Sequence, residues 1–355
     1  MKLSSFPYLI QKEILNHLSI NQLFFFSLCS NSTKNFIKET QKRQLKKVER
    51  LTYYINGHIC IRVKMANKRD ASRVMYFERH EENSFEQVVR VNELATPVDF
   101  LRCIRTVSDL YVKYCPDTLE SIMESIHNQL YDVFGNDTKF WLDGLNHSST
   151  EGTPFLPLLE NIQKVDVLQK GLDPTKVDKF LDRSTCLEHF SWDTSSIQLI
   201  QLRENSKLYD LDTVYVSSFE CPMASDVLKR FNGRHAFLRG KIDTSDVIQF
   251  LNEWKSGEKF KNLELVSLAW RRFDLLEICD SVDLWAVNRE VKHSFNTKFE
   301  EKVSDYPYLS SGEFKSRFFA VRESDGHVAS LLMAPKLIMM GVWNMTENEF
   351  LNKFN

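Results

Sequence analysis

Seven cysteines and nine histidines are the side chains best suited to nucleophilic or metal chemistry in this chain. Their spacing supports neither. The cysteines stand at Cys29, Cys60, Cys103, Cys115, Cys186, Cys221 and Cys279, the closest pair twelve residues apart. No C-x-x-C or H-x-x-x-H spacing presents two ligands to zinc from one turn. An odd number so widely spread also speaks against a disulfide framework. Settings such as Ser27-Leu28-Cys29 and Ile59-Cys60-Ile61 read as small core residues in a reducing, intracellular compartment, cytoplasmic or nuclear. Cys186 and His189 come nearest to a Cys/His pair, yet residues three apart on a strand point to opposite faces. There is no G-x-S-x-G elbow, no G-x-x-x-x-G-K-[ST] loop, no G-x-G-x-x-G and no H-E-x-x-H, so nucleophile, phosphate cradle and metal pair all lack local signatures. The expectation is a chain with no catalytic residues, no metal and no cofactor.

Charge narrows the partners. With 46 Lys and Arg against 48 Asp and Glu, the 355 residues carry a formal charge of -2, which excludes a strongly basic nucleic-acid binder. Trp254, Trp270 and Trp285 read as core or interface rather than as a platform for bases, since no basic stripe accompanies them. Arg271-Arg272 beside Trp270 suits contact with an acidic peptide. One local run, Lys42, Arg43, Lys46, Lys47 and Arg50, is compatible with a phosphate-binding patch or with a solvated helix face. No stretch approaches eighteen apolar residues and the N-terminus has no export pattern, so no membrane partner is expected. The composition is ordinary globular, rich in Phe (26) and poor in Gly (11) and Pro (9), at a length that suggests two or three units.

The elements that must position any functional surface follow from periodicity. Residues 3 to 42 read as three short helices: Pro7 opens the first, with Leu9, Ile10, Ile14, Leu15 and Leu18 at helical spacing; Ser19 caps a second, carrying Leu23 to Leu28; Ser30 or Ser32 opens a third. From Leu51 the pattern becomes β. Tyr53-Tyr54-Ile55 and Ile59-x-Ile61-x-Val63 flank the hairpin dipeptide Asn56-Gly57, and Val74–Phe77 and Val88–Val91 extend a small antiparallel sheet. Helices are expected near 98–107 and 118–134, with a strand at Leu110–Tyr114 between them.

The middle of the chain repeats one apolar template: Ile162-x-x-Val165-x-Val167, Leu187-x-x-Phe190-x-Trp192, Leu211-x-x-Val214-x-Val216 and Leu263-x-x-Val266-x-Leu268, with the degenerate Gly233-x-x-Ala236-x-Leu238 in the one double-length step. Helical stretches at Pro174–Leu181, Ile197–Leu202, Ser225–Phe231 and Ser245–Trp254 lie between. Strand then helix at this period builds irregular leucine-rich-repeat-like α/β solenoids, here without the Asn ladder of well-formed repeats. Asp325-Gly326 signals a C-terminal hairpin, followed by a strand at Leu337–Trp343 and a closing helix at Thr346–Phe354. The expected class is α+β, divided into an N-terminal helical unit over 1–45, a linker and small antiparallel β region over 46–95, and a repeat-like α/β domain over 96–355.

The first forty residues resemble an F-box, on Phe6-Pro7, Leu9-Ile10, Glu13-Ile14-Leu15, Leu18, Leu23 and Ser27-Leu28-Cys29-Ser30. They depart from the family at Ser19-Ile20, where an acidic residue and Pro are common, and at Asn31, where a basic residue is common. Thr244 to Trp254, Phe260 to Leu268 and Val321 to Gly326 look like the type 2 F-box-associated domain found with F-boxes in large nematode families, over roughly 200 to 335. The resemblance implies a substrate-recognition subunit of a Skp/cullin/F-box ubiquitin ligase. Phe6, Pro7, Leu9, Ile10, Ile14, Leu18 and Leu23 would dock on a Skp-type adaptor and, through it, a cullin, while the rest captures a protein target. A scaffold acting without ubiquitin transfer and an α/β enzyme are the competing classes.

In a solenoid the template residues face the helices and the intervening ones an open concave side. That assigns Lys164, Asp166, His189, Ser191, Asp193, Thr213, Tyr215, Ser217, His235, Phe237, Arg239, Leu265 and Ser267 to one surface. His189, Asp193, Tyr215, Phe237, Arg239 and Ser267 are the expected target contacts among them, because hydroxyl, charged and aromatic groups together suit protein recognition.

Overall fold

Among the described residues, two runs of eight strands, each with its own helices, make up the computed structural model. It describes residues 5–56, 58–79, 88–91, 98–102, 110–135, 137–146, 156–167, 172–194, 202–218, 221–295 and 312–354. The chain divides into a first unit of Met1–Val167 with Asp182–Leu187, and a second of Leu168–Leu181 with Glu188–Asn355. The first unit holds both the helical segment expected over 1–45 and the β region expected over 46–95.

The first unit opens with α1 (Tyr8–Asn16), α2 (Ile20–Ser27), α3 (Asn31–Thr40) and α4 (Lys42–Leu45), a single turn beyond the three helices expected. Pro7 supplies extended backbone at the start of α1 (φ -55, ψ 147). Ser19 and Gln22 form a reciprocal capping box on α2, and the Ser30 hydroxyl accepts the Thr33 N–H at 3.1 Å to start α3. The strands are β1 (Val48–Asn56), β2 (His58–Met65), β3 (Ser72–Arg79), β4 (Val88–Val91), β5 (Val98–Arg102), β6 (Leu110–Tyr114), β7 (Lys139–Asn146) and β8 (Lys164–Val167). Their order is β8-β7-β1-β2-β3-β6-β5-β4, and it is mixed, since β1 with β7, β3 with β6, and β7 with β8 pair in parallel. The hairpin strands pair as expected; Gly57 itself lies outside the described residues. The helix expected from 98 is instead β5, which pairs antiparallel with β4 and β6. Three apolar residues in five, Val98, Phe100 and Leu101, fit either period, and pairing decides.

One long helix, α5 (Leu119–Phe134), closes this unit, burying Ile122, Met123, Ile126, Leu130, Val133 and Phe134 on one side. It carries a buried His127. A carbonyl can only accept, so His127 Nε2–H donates to Glu160 O (2.7 Å), leaving Nδ1 to accept the Tyr53 hydroxyl at 2.8 Å. Burial holds this imidazole neutral, with its pKa down at about 4.

In the second unit β9 (His189–Thr194), β10 (Thr213–Ser218), β11 (His235–Gly240) and β12 (Leu265–Ala269) run parallel in sequence order. Preceding or joining them are α6 (Pro174–Arg183), a 3₁₀ turn at Lys207–Asp210, α7 (Met223–Arg230) and α8 (Thr244–Ser256); the stretch expected as a helix at 197–202 lies outside the described residues except for Leu202. Sequential parallel order with right-handed crossovers places such connections on one face. The template residues Phe190, Val214, Ala236 and Val266 are in register, as are Trp192, Val216, Leu238 and Leu268, and all are essentially inaccessible. The degenerate repeat is thus a full strand.

A side-chain ladder is present after all. Asp210, Asn232 and Asn262 each sit three residues before a strand; Asn232 Nδ2 donates to Asp210 Oδ1 (3.0 Å) and Asn262 Nδ2 to Asn232 O (3.2 Å). Next to it, Arg234 binds Glu264 at 2.6 Å and lies 3.6 Å from Asp212.

After α9 (Leu275–Ser281) the chain adds β13 (Trp285–Ser294), β14 (Glu313–Val321), β15 (His327–Ala334) and β16 (Leu337–Thr346), ending in α10 (Glu347–Phe354). These strands form an antiparallel meander joined to the parallel set through β16 and β12, so the expected hairpin is one corner of a larger structure. Phe314 and Leu332 of this meander pack on Phe237, Leu265 and Met339. The second face of the parallel sheet is therefore covered over β11 and β12, which an open solenoid would leave bare.

Candidate functional site

Helix α1 is short, and only Leu15 of its nine residues is buried. Around it Tyr8 is 58% exposed, Leu9 75%, Ile10 47% and Ile14 36%, joined by Phe26 of α2 at 36%. Only two other large apolar side chains among the described residues are as open, Leu276 and Phe318. The clustering matters more than any one exposure, because scattered surface apolar groups are normal and contiguous ones mark an interaction face.

The local sequence explains the geometry. Pro7 O accepts the Ile10 and Gln11 amides at 2.9 and 3.0 Å, and Gln11 Nε2 donates to Phe6 O at 2.6 Å, which fixes the chain entering α1. Tyr8 meets Phe36 of α3 edge to face at 5.8 Å. Ile10 and Ile14, one turn apart, then share the outward side while Leu15 turns inward. Burying such a side chain fully is worth about 1.5–3 kcal/mol, which is the affinity this face can offer a complementary partner.

Of the seven residues expected on this face, Pro7, Leu9, Ile10 and Ile14 are exposed and Phe6 and Leu18 half-buried. Leu23 differs. It is fully buried in the first unit and presents no surface.

The expected contacts on the parallel sheet share a face, as the alternation requires: His189 aligns with Thr213 and His235, Tyr215 with Phe237 and Ser267, and Asp193 with Ser217 and Arg239. Their access differs from expectation. Asp193 is exposed and Tyr215 and Arg239 are half-buried, but His189, Phe237 and Ser267 are buried. Phe237 is a core residue under Phe314, since the meander lies over that part of the sheet.

Sequence reasoning missed a cavity of about 570 Å³ at the edge where these strands begin, bordered by Asp212, Arg234, Lys261, Arg322 and Trp343 among others. The recurrence of Asp210, Asn232 and Asn262 at one offset before successive strands was the signal for it. Of the cysteines, Cys60 and Cys221 are buried, whereas Cys29, Cys115, Cys186 and Cys279 are exposed, contrary to the core reading; Cys103 lies outside the described residues. Among the described residues no three His, Cys, Asp or Glu side chains converge as metal ligands, and no helix is long and apolar enough to cross a membrane.

Residues 3–44 match the F-box domain family. The matched stretch coincides with α1 to α4, and F-box domains bind Skp-type adaptors and, through them, cullins. The match does not extend to the region resembling a type 2 F-box-associated domain. No curated protein and no solved structure matches the chain.

Proposed function

We propose that this chain is a non-catalytic substrate-recognition subunit of a Skp/cullin/F-box ubiquitin ligase, docking on a Skp-type adaptor through α1 and capturing a protein target with its second unit. The F-box match on helices whose apolar residues stand uncovered is the observation that carries the reading. Target capture is assigned to the second unit because Asp193, Tyr215 and Arg239 keep access beside an otherwise buried sheet, and aromatic and Arg side chains dominate interface energetics when desolvated.

Direct titration of a purified Skp-type adaptor tests the docking. Leu9→Ala with Ile10→Ala should weaken binding at least about tenfold, since the two truncations remove some 2 kcal/mol or more of contact. Melting temperature should stay unchanged because both side chains face solvent. Equal affinity of the double variant and the native chain would place the docking face elsewhere. Affinity purification followed by mass spectrometry then identifies the target, and the absence of adaptor and cullin from the folded protein's partners would refute the ligase reading.

A further inference from the structure

We propose that a basic hollow beside α1 receives an acidic segment of the adaptor that docks on α1, and so governs how fast and how salt-sensitively the complex forms; this rests on the docking reading above. The hollow, about 1040 Å³ and open to solvent, lies within the first unit between α1, the end of α3 with α4, and the turn after β2. Lys12, Lys42, Arg43, Lys46, Lys47 and Lys68 border it, against the single carboxylate of Glu39. All six cations are exposed, and none forms an ion pair among the described residues. Neighbouring cations behave differently: Lys34 and Lys38 both close on Asp132, at 2.6 and 2.5 Å. In a chain of formal charge -2, such a concentration of one sign is a local feature and not a consequence of composition.

The walls are tied together. Gln41, 3% exposed, donates Nε2 to Asn16 Oδ1 at 3.0 Å; Gln44 Nε2 donates to Leu18 O at 2.9 Å; and the Ala66 amide donates to Lys47 O at 2.9 Å. The three elements thus hold the cations at one rim, where mutual repulsion makes a positive field that a partner's carboxylates relieve.

Position selects the partner. At about 100° per residue Leu9 falls between Lys12 and Ile10 around α1, so a protein covering Leu9, Ile10 and Ile14 meets the hollow at its next edge. No aromatic ring borders the hollow, so stacking of nucleic-acid bases has no platform there. Five of the six cations are lysines, flexible point charges that suit irregularly placed carboxylates better than planar, bidentate recognition.

Association kinetics of the full chain with a purified Skp-type adaptor, followed from about 0.05 to 0.5 M salt, test the proposal. The native association rate should fall as salt rises. Lys42→Glu/Lys46→Glu/Lys47→Glu should slow association on the order of tenfold at low salt and flatten that dependence, with little change in dissociation. The corresponding triple Gln variant should shift the rate in the same direction by less, which keeps the test decisive if charge reversal perturbs folding. Leu9→Ala/Ile10→Ala should instead speed dissociation at every salt concentration. If both charge variants leave rate and salt dependence unchanged while the Leu9/Ile10 variant weakens binding, the hollow has no such role and the docking reading stands. If the folded native chain binds no adaptor at any salt concentration, both fall. Binding of a short DNA duplex that the charge variants abolish, with adaptor kinetics unmoved, would likewise overturn the assignment.

Discussion

Gly341 on β16 shows what one missing side chain permits. A Cβ there would stand 2.3 Å from His293 Nε2, so the absence of a methyl group is what lets the imidazole lie on the strand. His293 is 4% exposed, between Phe314 (ring centroids 5.1 Å apart) and Trp343 (4.5 Å), and its Nδ1 has no hydrogen-bond partner among the described residues. Gly341→Ala should therefore destabilise the second unit by roughly 1–3 kcal/mol, the usual cost of overpacking, measured by denaturant unfolding. The same ring predicts a pH dependence. Burial lowers its pKa from 6.5 to about 4, so between those values the unfolded chain takes up a proton that the folded one refuses. Stability from His293 is complete above pH 6.5 and is lost as pH falls toward 4, by about 3 kcal/mol at the limit. His127 adds a loss of the same sign in the first unit. His293→Phe should flatten the profile between pH 6.5 and 4 relative to the native chain. An unchanged profile would mean that the ring gains its proton without unfolding.

At the scale of elements, the turn between β14 and β15 latches onto the end of α8. The Glu323 amide donates to Lys255 O at 2.8 Å, and Arg322, 5% exposed and 5.4 Å above the Trp254 ring, grips Asp325 through two bonds of 2.9 and 2.7 Å. Those bonds hold the Asp325 carboxyl at a pKa of about 2. Gly257, which ends α8, has φ +76, and a Cβ on it would meet Ser324 Oγ at 2.1 Å. Gly257→Ala should cost ~1–3 kcal/mol from backbone strain and clash together, and Ser324→Gly in the same chain should recover the clash part alone. Additive losses in the double variant, read from thermal melts, would show that the tip and the helix end do not touch. Arg322 Nη1 also donates to Lys261 O at 3.5 Å, so the turn touches the segment leading into β12 as well. Much of this scale was legible: the second and third residues of every template triplet lie on a strand, with the first standing two residues ahead of it, and α5, α6 and α8 begin within a residue of their expected starts. The covered second face was not. Phe237 and Leu265 alternate with the template as surface residues of a repeat would, and only long-range packing of β14 and β15, which no local period encodes, makes them interior.

At the scale of the molecule, the F-box helices belong to the core of the first unit rather than to a separable module. Leu23 and Phe24 are fully buried, Phe24 stacks on Phe134 of α5 at 6.4 Å, and Gln129 Nε2 donates to Ser27 O at 3.3 Å. Asn21 donates to the Arg73 carbonyl of β3, and Lys34 and Lys38 close on Asp132. A forty-residue helical segment cannot bury enough surface to stand alone, and here the missing surface is supplied by α5 and the sheet. Residues 1–45 made alone should therefore show little cooperative helical unfolding and should bind the adaptor more weakly than the full chain, although every residue of the outward α1 face is retained. Phe134→Ala tests the same dependence from the other side: buried on α5 against Phe24 of α2, its loss should lower stability by about 3–5 kcal/mol and loosen α2 beneath the docking face. Circular dichroism and adaptor titration on the two proteins decide the matter. A residue 1–45 fragment that melts cooperatively and binds with full affinity, beside a Phe134→Ala chain of native stability, would show that α5 merely lies next to the helices and does not hold them.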